Sequence, residues 1–137
     1  MQKQLIHTKK AGGTWNKTIA QAVRVRAQDL VFVTGQVANE PGTDHPEDPL
    51  APLELGTIEE QTTRVLENIK AILEEAGTDL AHIVKRNVYL THTSDYGPVC
   101  AVMERYFPQQ MASTAVLTSL IPSSARVEID VVAVVPE

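Results

Sequence analysis

A chain of 137 residues with 43% apolar and 21% charged side chains fits one globular domain and lacks the low hydrophobicity and high charge of a disordered segment. Seventeen acids against twelve bases give a formal charge of -5, and no run of Lys and Arg is dense enough to follow a phosphate backbone, so nucleic acid is not an expected partner. No stretch approaches the ~20 apolar residues of a membrane helix, Met1 to Lys10 lacks the apolar core of an export signal, and a lone cysteine, Cys100, leaves no intrachain disulfide, which together predict a cytoplasmic protein without a membrane partner.

In chain order, Ala22-Val23-Arg24-Val25 and Leu30-Val31-Phe32-Val33 are strand candidates, and the polar stretch Arg26 to Asp29 between them suggests a β-hairpin. Asn39 to Leu55 holds Pro41, Pro46, Pro49 and Pro52, which remove backbone donors, and is expected to be a surface loop. Thr57-Ile58-Glu59-Glu60 has the form of a capping box. The helix it opens carries Ile58, Val65, Leu66, Ile69, Ile72, Leu73 and Ala76 at three- and four-residue spacing, and Gly77 suits its left-handed end.

Ile83 to Leu90 returns to strand character. Ser94 or Asp95 can cap a second helix through Tyr106, with Pro98 held to its first turn. Ser113–Thr118 and Arg126–Val135 are two further strands. The order strand, strand, helix, strand, helix, strand, strand favours an α+β fold, a mixed sheet with two helices on one face, over a regularly alternating parallel sheet. The other sheet face is then left to be covered, and neither a repeat nor a change of composition suggests a boundary within residues 1–137.

Four strings, in this order, resemble the Rid (reactive intermediate deaminase, YjgF-like) family: Gln21 to Val25, Leu30 to Gln36, Asn68 to Gly77 and Val127 to Ala133. The resemblance runs from about Ala20 to Val135. It implies a chorismate-mutase-like α+β fold assembled as a homotrimer, helices outward, with pockets between subunits. It also implies hydrolysis of enamine or imine intermediates to a keto compound and ammonia, with no metal or organic cofactor. An imine carbon is already electrophilic once its nitrogen is protonated, so such a site needs mainly a placed water, a carboxylate to orient it and an anchor for the substrate. Glu128 matches the family's water-orienting glutamate, and Gly35 the glycine that abuts the pocket. Without the resemblance, Glu128 reads as a solvated or ion-paired strand residue.

The chain departs from the pattern at three pocket positions. Ser113 stands where imine deaminases have an arginine that grips the substrate carboxylate, Ile19 matches a frequent tyrosine, and Cys100 a frequent asparagine. A hydroxyl carries no charge, and charge-assisted hydrogen bonds are roughly twice as strong as neutral ones. The substrate expected is therefore an enamine or imine other than a simple 2-imino acid, such as the 2-aminomuconate type deaminated by one family branch. The alternative is a non-catalytic trimer that binds a metabolite or regulates a partner, and a weaker one a holdase-like protein.

Arg24, Arg86, Arg105 and Arg126 are the cations available to replace the missing one. Arg126, two residues from Glu128, is preferred, with an ion pair to Glu128 or Asp130 as the other reading. Cys100 is a small buried hydrophobe or, less well supported, a nucleophile. Trp15, the only tryptophan, is a packing anchor or an aromatic wall for the substrate. His7, His45, His82 and His92 share no ligand spacing, so no metal site is expected.

Overall fold

The computed structural model describes residues 2–14, 17–27, 29–44 and 46–137. Strands β1 (Gln2–Ile6) and β2 (Ala22–Arg26) form an antiparallel pair. Strands β3 (Asp29–Gln36), β4 (Ile83–Leu90), β5 (Ala112–Leu117) and β6 (Val127–Val135) form a second sheet in the order β3-β6-β4-β5. It is mixed: β4 and β5 run parallel, and β6 is antiparallel to both β3 and β4. Helices α1 (Ile58–Glu75) and α2 (Tyr96–Tyr106) complete the α+β fold.

The hairpin expected between residues 22–25 and 30–33 is corrected. Both strands form, but among the described residues β2 pairs with the N-terminal β1 while β3 pairs with β6. Chain neighbours usually pair, but β3 has the long apolar β6 as its partner, in register from Asp29↔Val135 to Val33↔Val131.

Helix α1 begins at the expected box: the Glu60 amide donates to Thr57 Oγ1 and the Thr57 amide to Glu60 Oε1, each at 3.1 Å. It ends before Gly77, whose φ of 85° is a left-handed conformation suited to a residue without a Cβ. Thr78 Oγ1 then donates to the Val134 carbonyl at 2.7 Å, tying the helix end to β6. Val65, Leu66, Ile69 and Leu73 are fully buried against the sheet, each worth about 1.5–3 kcal/mol relative to exposure.

In β6, Val127, Ile129, Val131 and Ala133 face the helices, whereas Glu128, Asp130 and Val132 face the other way. Among the described residues no helix lies on that second face, and Phe32 is 73% and Leu30 48% exposed there. The proline-bearing loop is pinned to the β5–β6 connection, where the Leu53 amide donates to Ser124 Oγ and the Ser123 amide to the Pro49 carbonyl. No helix among the described residues is long and apolar enough to cross a membrane.

Candidate functional site

Apart from Arg126 and Trp15, the site residues anticipated from sequence fall into two groups on opposite faces of the four-stranded sheet. On the helix-free face, Glu128 is opposite Tyr89, and Asp130 opposite Asn87, in the β4–β6 ladder. Asp130 accepts from Asn87 Nδ2 at 3.0 Å and from Tyr89 Oη at 2.9 Å. The Tyr89 phenol is pushed up in pKa, first by donating to Asp130, then by burial and by the charges of Asp130 and Glu128.

Gly35 sits at a bulge. Between the pairs Val33↔Val131 and Gln36↔Ile129, β3 spends one more residue than β6, which bends the strand and re-aims it. The bulge carries Gly35 so close to Glu128 that an added Cβ would stand 2.5 Å from Oε2 and 2.9 Å from Cδ. A side chain here would displace the carboxylate, so the glycine leaves the room in which Glu128 sits. An isolated glycine in an apolar strand is the sequence signal for such an approach.

On the opposite, helix-covered face, Ser113 pairs with Arg86 in the parallel β4–β5 ladder. Arg86 is 1% exposed. Its Nε donates to Ser113 Oγ at 2.9 Å and its Nη2 to Thr18 Oγ1 at 3.0 Å. The guanidinium carbon lies 5.0 Å from the Phe107 ring centre, a cation–π contact. Thr18 reaches this place because residues 18–20 run beside the start of β5, the Met111 amide donating to the Thr18 carbonyl and the Ala20 amide to the Met111 carbonyl.

Arg86, Ser113 and Ile19 line a groove of about 490 Å³ with Val88, Leu90, Tyr96, Met103 and the outer positions of β5. Arg86 Nη1 is buried without a hydrogen-bond partner among the described residues. Burial pushes the Arg86 pKa down, which the nearby Cys100 and Tyr96 oppose. Arg86 has a readable signal: in β4 it shares the parity of Val84, Val88 and Leu90, so a cation falls on the apolar face.

Cys100 packs at the edge of the main core beside this groove. Burial pushes its thiol up, against a hydrogen bond with Tyr96 and the charge of Arg86, so the group stays protonated at neutral pH and is a poor nucleophile. Arg126 is held elsewhere. Its Nε and Nη2 donate to Asp95 Oδ2 and Oδ1 at 3.0 and 2.5 Å, so the pair anticipated with Glu128 or Asp130 is corrected to one with Asp95. The reason is local: Asp95 precedes α2 but makes no side-chain cap bond, leaving its buried carboxylate to take Arg126 instead.

Trp15 and His45 lie outside the described residues. His7, His82 and His92 are hydrogen-bonded to Gln110, Asp79 and Thr91 respectively. A wider groove of about 850 Å³ between the proline-bearing loop and α1 is rimmed by Glu40, Glu54, Glu59, Arg64 and Arg105, away from both groups.

The fold is thus an α+β sheet with one open face, which carries a carboxylate at a β-bulge, while a buried arginine lines a groove on the other face under the edge strand. The family described as Endoribonuclease L-PSP matches residues 15–135, and the chain belongs to this family, also called YjgF/Rid. A RutC family protein of Pyrococcus abyssi is 37% identical over 134 residues, covering 97% of this chain and 98% of its own. The chloroplastic Reactive Intermediate Deaminase A of Arabidopsis thaliana is 28% identical over 134 residues, 97% of this chain and 66% of that protein. The crystal structure of RidA from an Antarctic Psychrobacter is 33% identical, with a TM-score of 0.67 over 96% of this chain and 99% of that one.

Proposed function

We propose that this chain is a hydrolytic deaminase of enamine or imine intermediates, a single Rid-type domain acting as a homotrimer with its sites between subunits. The observation that carries the reading is Glu128, a carboxylate seated against Gly35 at the β3 bulge. In the reaction, an enamine first tautomerises to the imine and is protonated on nitrogen. Glu128 takes a proton from water as the oxygen bonds to the imine carbon, the nitrogen of the resulting carbinolamine is protonated, and the carbon–nitrogen bond breaks to leave a carbonyl and ammonia. Water is the only co-reactant.

Subunit assembly is supported by the open sheet face, where Phe32 and Leu30 are exposed on a surface that a monomer would leave wet. Arg86 with Ser113 and Glu128 project from opposite faces of one sheet, so a site using both needs two chains. A ribonuclease activity fits less well, since the chain carries a charge of -5 and its open face presents Glu128 and Asp130. A cytoplasmic setting accords with a chain whose one cysteine, Cys100, has no second cysteine to bridge.

The test is ammonia release from a panel of enzymatically generated enamines, 2-aminomuconate included, against a Glu128→Ala control. Turnover lost in the control is expected, and no turnover above it for any substrate refutes the catalytic reading. The departure at Ser113 favours one second reading, a metabolite-binding trimer, which predicts ligand-dependent thermal shifts without ammonia release.

A further inference from the structure

We propose that Arg86 on β4 is the carboxylate anchor of this site, doing from one strand over what the family's arginine does from the Ser113 position, and that the groove beside it selects monocarboxylates with an extended apolar side chain. The inference rests on the reading of the groove as part of the proposed site.

Among the described residues, Arg86 is a charge without a counter-charge. It is 1% exposed, it donates to the neutral hydroxyls of Ser113 and Thr18, and Nη1 has no partner among the described residues. Burying a guanidinium in this way is costly unless an anion joins it. Arg126 shows the contrast, a half-exposed guanidinium met by the Asp95 carboxylate. The two hydroxyls fix the orientation of the Arg86 fork without neutralising it, which leaves the fork suited to a planar carboxylate.

Ser113 thereby has a role other than loss: a serine in register with Arg86 orients the cation that a residue of arginine size would crowd. Beyond the guanidinium and Ser113, the groove is walled mainly by apolar side chains, Ile19, Val88, Leu90, Met103 and Leu117 among them, with the hydroxyl groups of Thr93, Tyr96 and Thr114 between them. The apolar walls offer an apolar tail a surface, and among the described residues of the lining a second carboxylate would meet neutral hydroxyls but no second cation. That composition argues against a dicarboxylate of the 2-aminomuconate type and for a 2-imino acid with a branched or long hydrocarbon chain.

The test is calorimetric titration of the full chain with 4-methyl-2-oxopentanoate, a stable product analogue, with its methyl ester and with 2-oxohexanedioate. The free acid should bind about tenfold or more tightly than the ester, and no less tightly than the dicarboxylate. Arg86→Ser should weaken the acid by about tenfold or more, Arg86→Lys by less, and the double variant Arg86→Ser, Ser113→Arg should recover most of the loss. Equal affinity for acid and ester in the unaltered chain overturns the proposal without recourse to any variant, as does tighter binding of the dicarboxylate. Unchanged acid affinity in Arg86→Ser overturns it too, and loss of subunit assembly in both Arg86 variants assigns the guanidinium to a neighbour's carboxylate instead. Acid-selective, Arg86-dependent binding without ammonia release leaves this inference standing and removes the hydrolytic reading.

Discussion

Gly35→Ala separates the position of Glu128 from its presence. The new Cβ would stand 2.5 Å from Oε2, 2.9 Å from Cδ and 3.2 Å from Cγ, where ordinary contact begins near 3.4 Å. Gly35 does not occupy a positive-φ conformation, so the backbone accepts alanine and the flexible carboxylate must yield. Its oxygen retreats by about 1 Å, a misplacement that costs on the order of 100-fold in rate when geometry sets the barrier, or roughly 2.7 kcal/mol of transition-state stabilisation. Stability should hold, since alanine restricts the unfolded chain by about 0.4–1 kcal/mol. Steady-state ammonia release and thermal unfolding of the same preparation measure the two quantities. Full activity in the variant refutes the reasoning, and a fall in melting temperature parallel to the loss shows that the core, not the carboxylate, was disturbed.

Asp95→Ala removes the carboxylate that receives both Arg126 donors and should cost about 1.5–3 kcal/mol in urea denaturation; a loss near zero contradicts a structural role for the pair. Cys100→Ala should retain full turnover, and the thiol, raised in pKa by burial, should react slowly with iodoacetamide at pH 7, so rapid alkylation would count against the assignment. Glu60 is held below its ordinary pKa by its bonds with the Thr57 amide and hydroxyl. Its stabilisation is therefore present above the unfolded value near 4.3 and is lost as pH falls through the lower folded value. The melting-temperature gap between the parent chain and Glu60→Ala should be full at neutral pH and close in acid, and a pH-independent gap refutes the box as its source.

Local signals made much of the fold legible. Thr57, Glu60 and Gly77 mark the ends of α1 because capping involves residues a few positions apart, and the strand over Ile83–Leu90 announces itself by apolar content. β1 gave no such signal. Gln2, Gln4, Leu5 and Ile6 are all exposed, so no buried face imposes alternation on the edge strand. Pairing of β3 with β6 spans about a hundred residues of chain, and adjacency in sequence is a poor guide to it.

The candidate site divides in the same way. Gly35 and Glu128 were readable from a motif, and the bulge supplies the physical reason that they meet. Arg126 was favoured because it shares strand parity with Glu128, but Asp95 competes for it from another element, a contact that no spacing along the chain reveals. Arg86 was visible as a cation, and its importance follows from parity: it alternates with Val84 and Val88 and so turns inward.

In the proposed trimer, the projection of Arg86 and Glu128 from opposite sheet faces makes each subunit a donor of half a site. Mixed in a single trimer, an Arg86-deficient chain and a Glu128-deficient chain, each inert alone, restore one intact pairing wherever the sound Arg86 of one abuts the sound Glu128 of the next. Random reassembly of equal amounts should return about a quarter of the parental activity, an intersubunit complementation that two defects confined to one chain's own pocket could not produce.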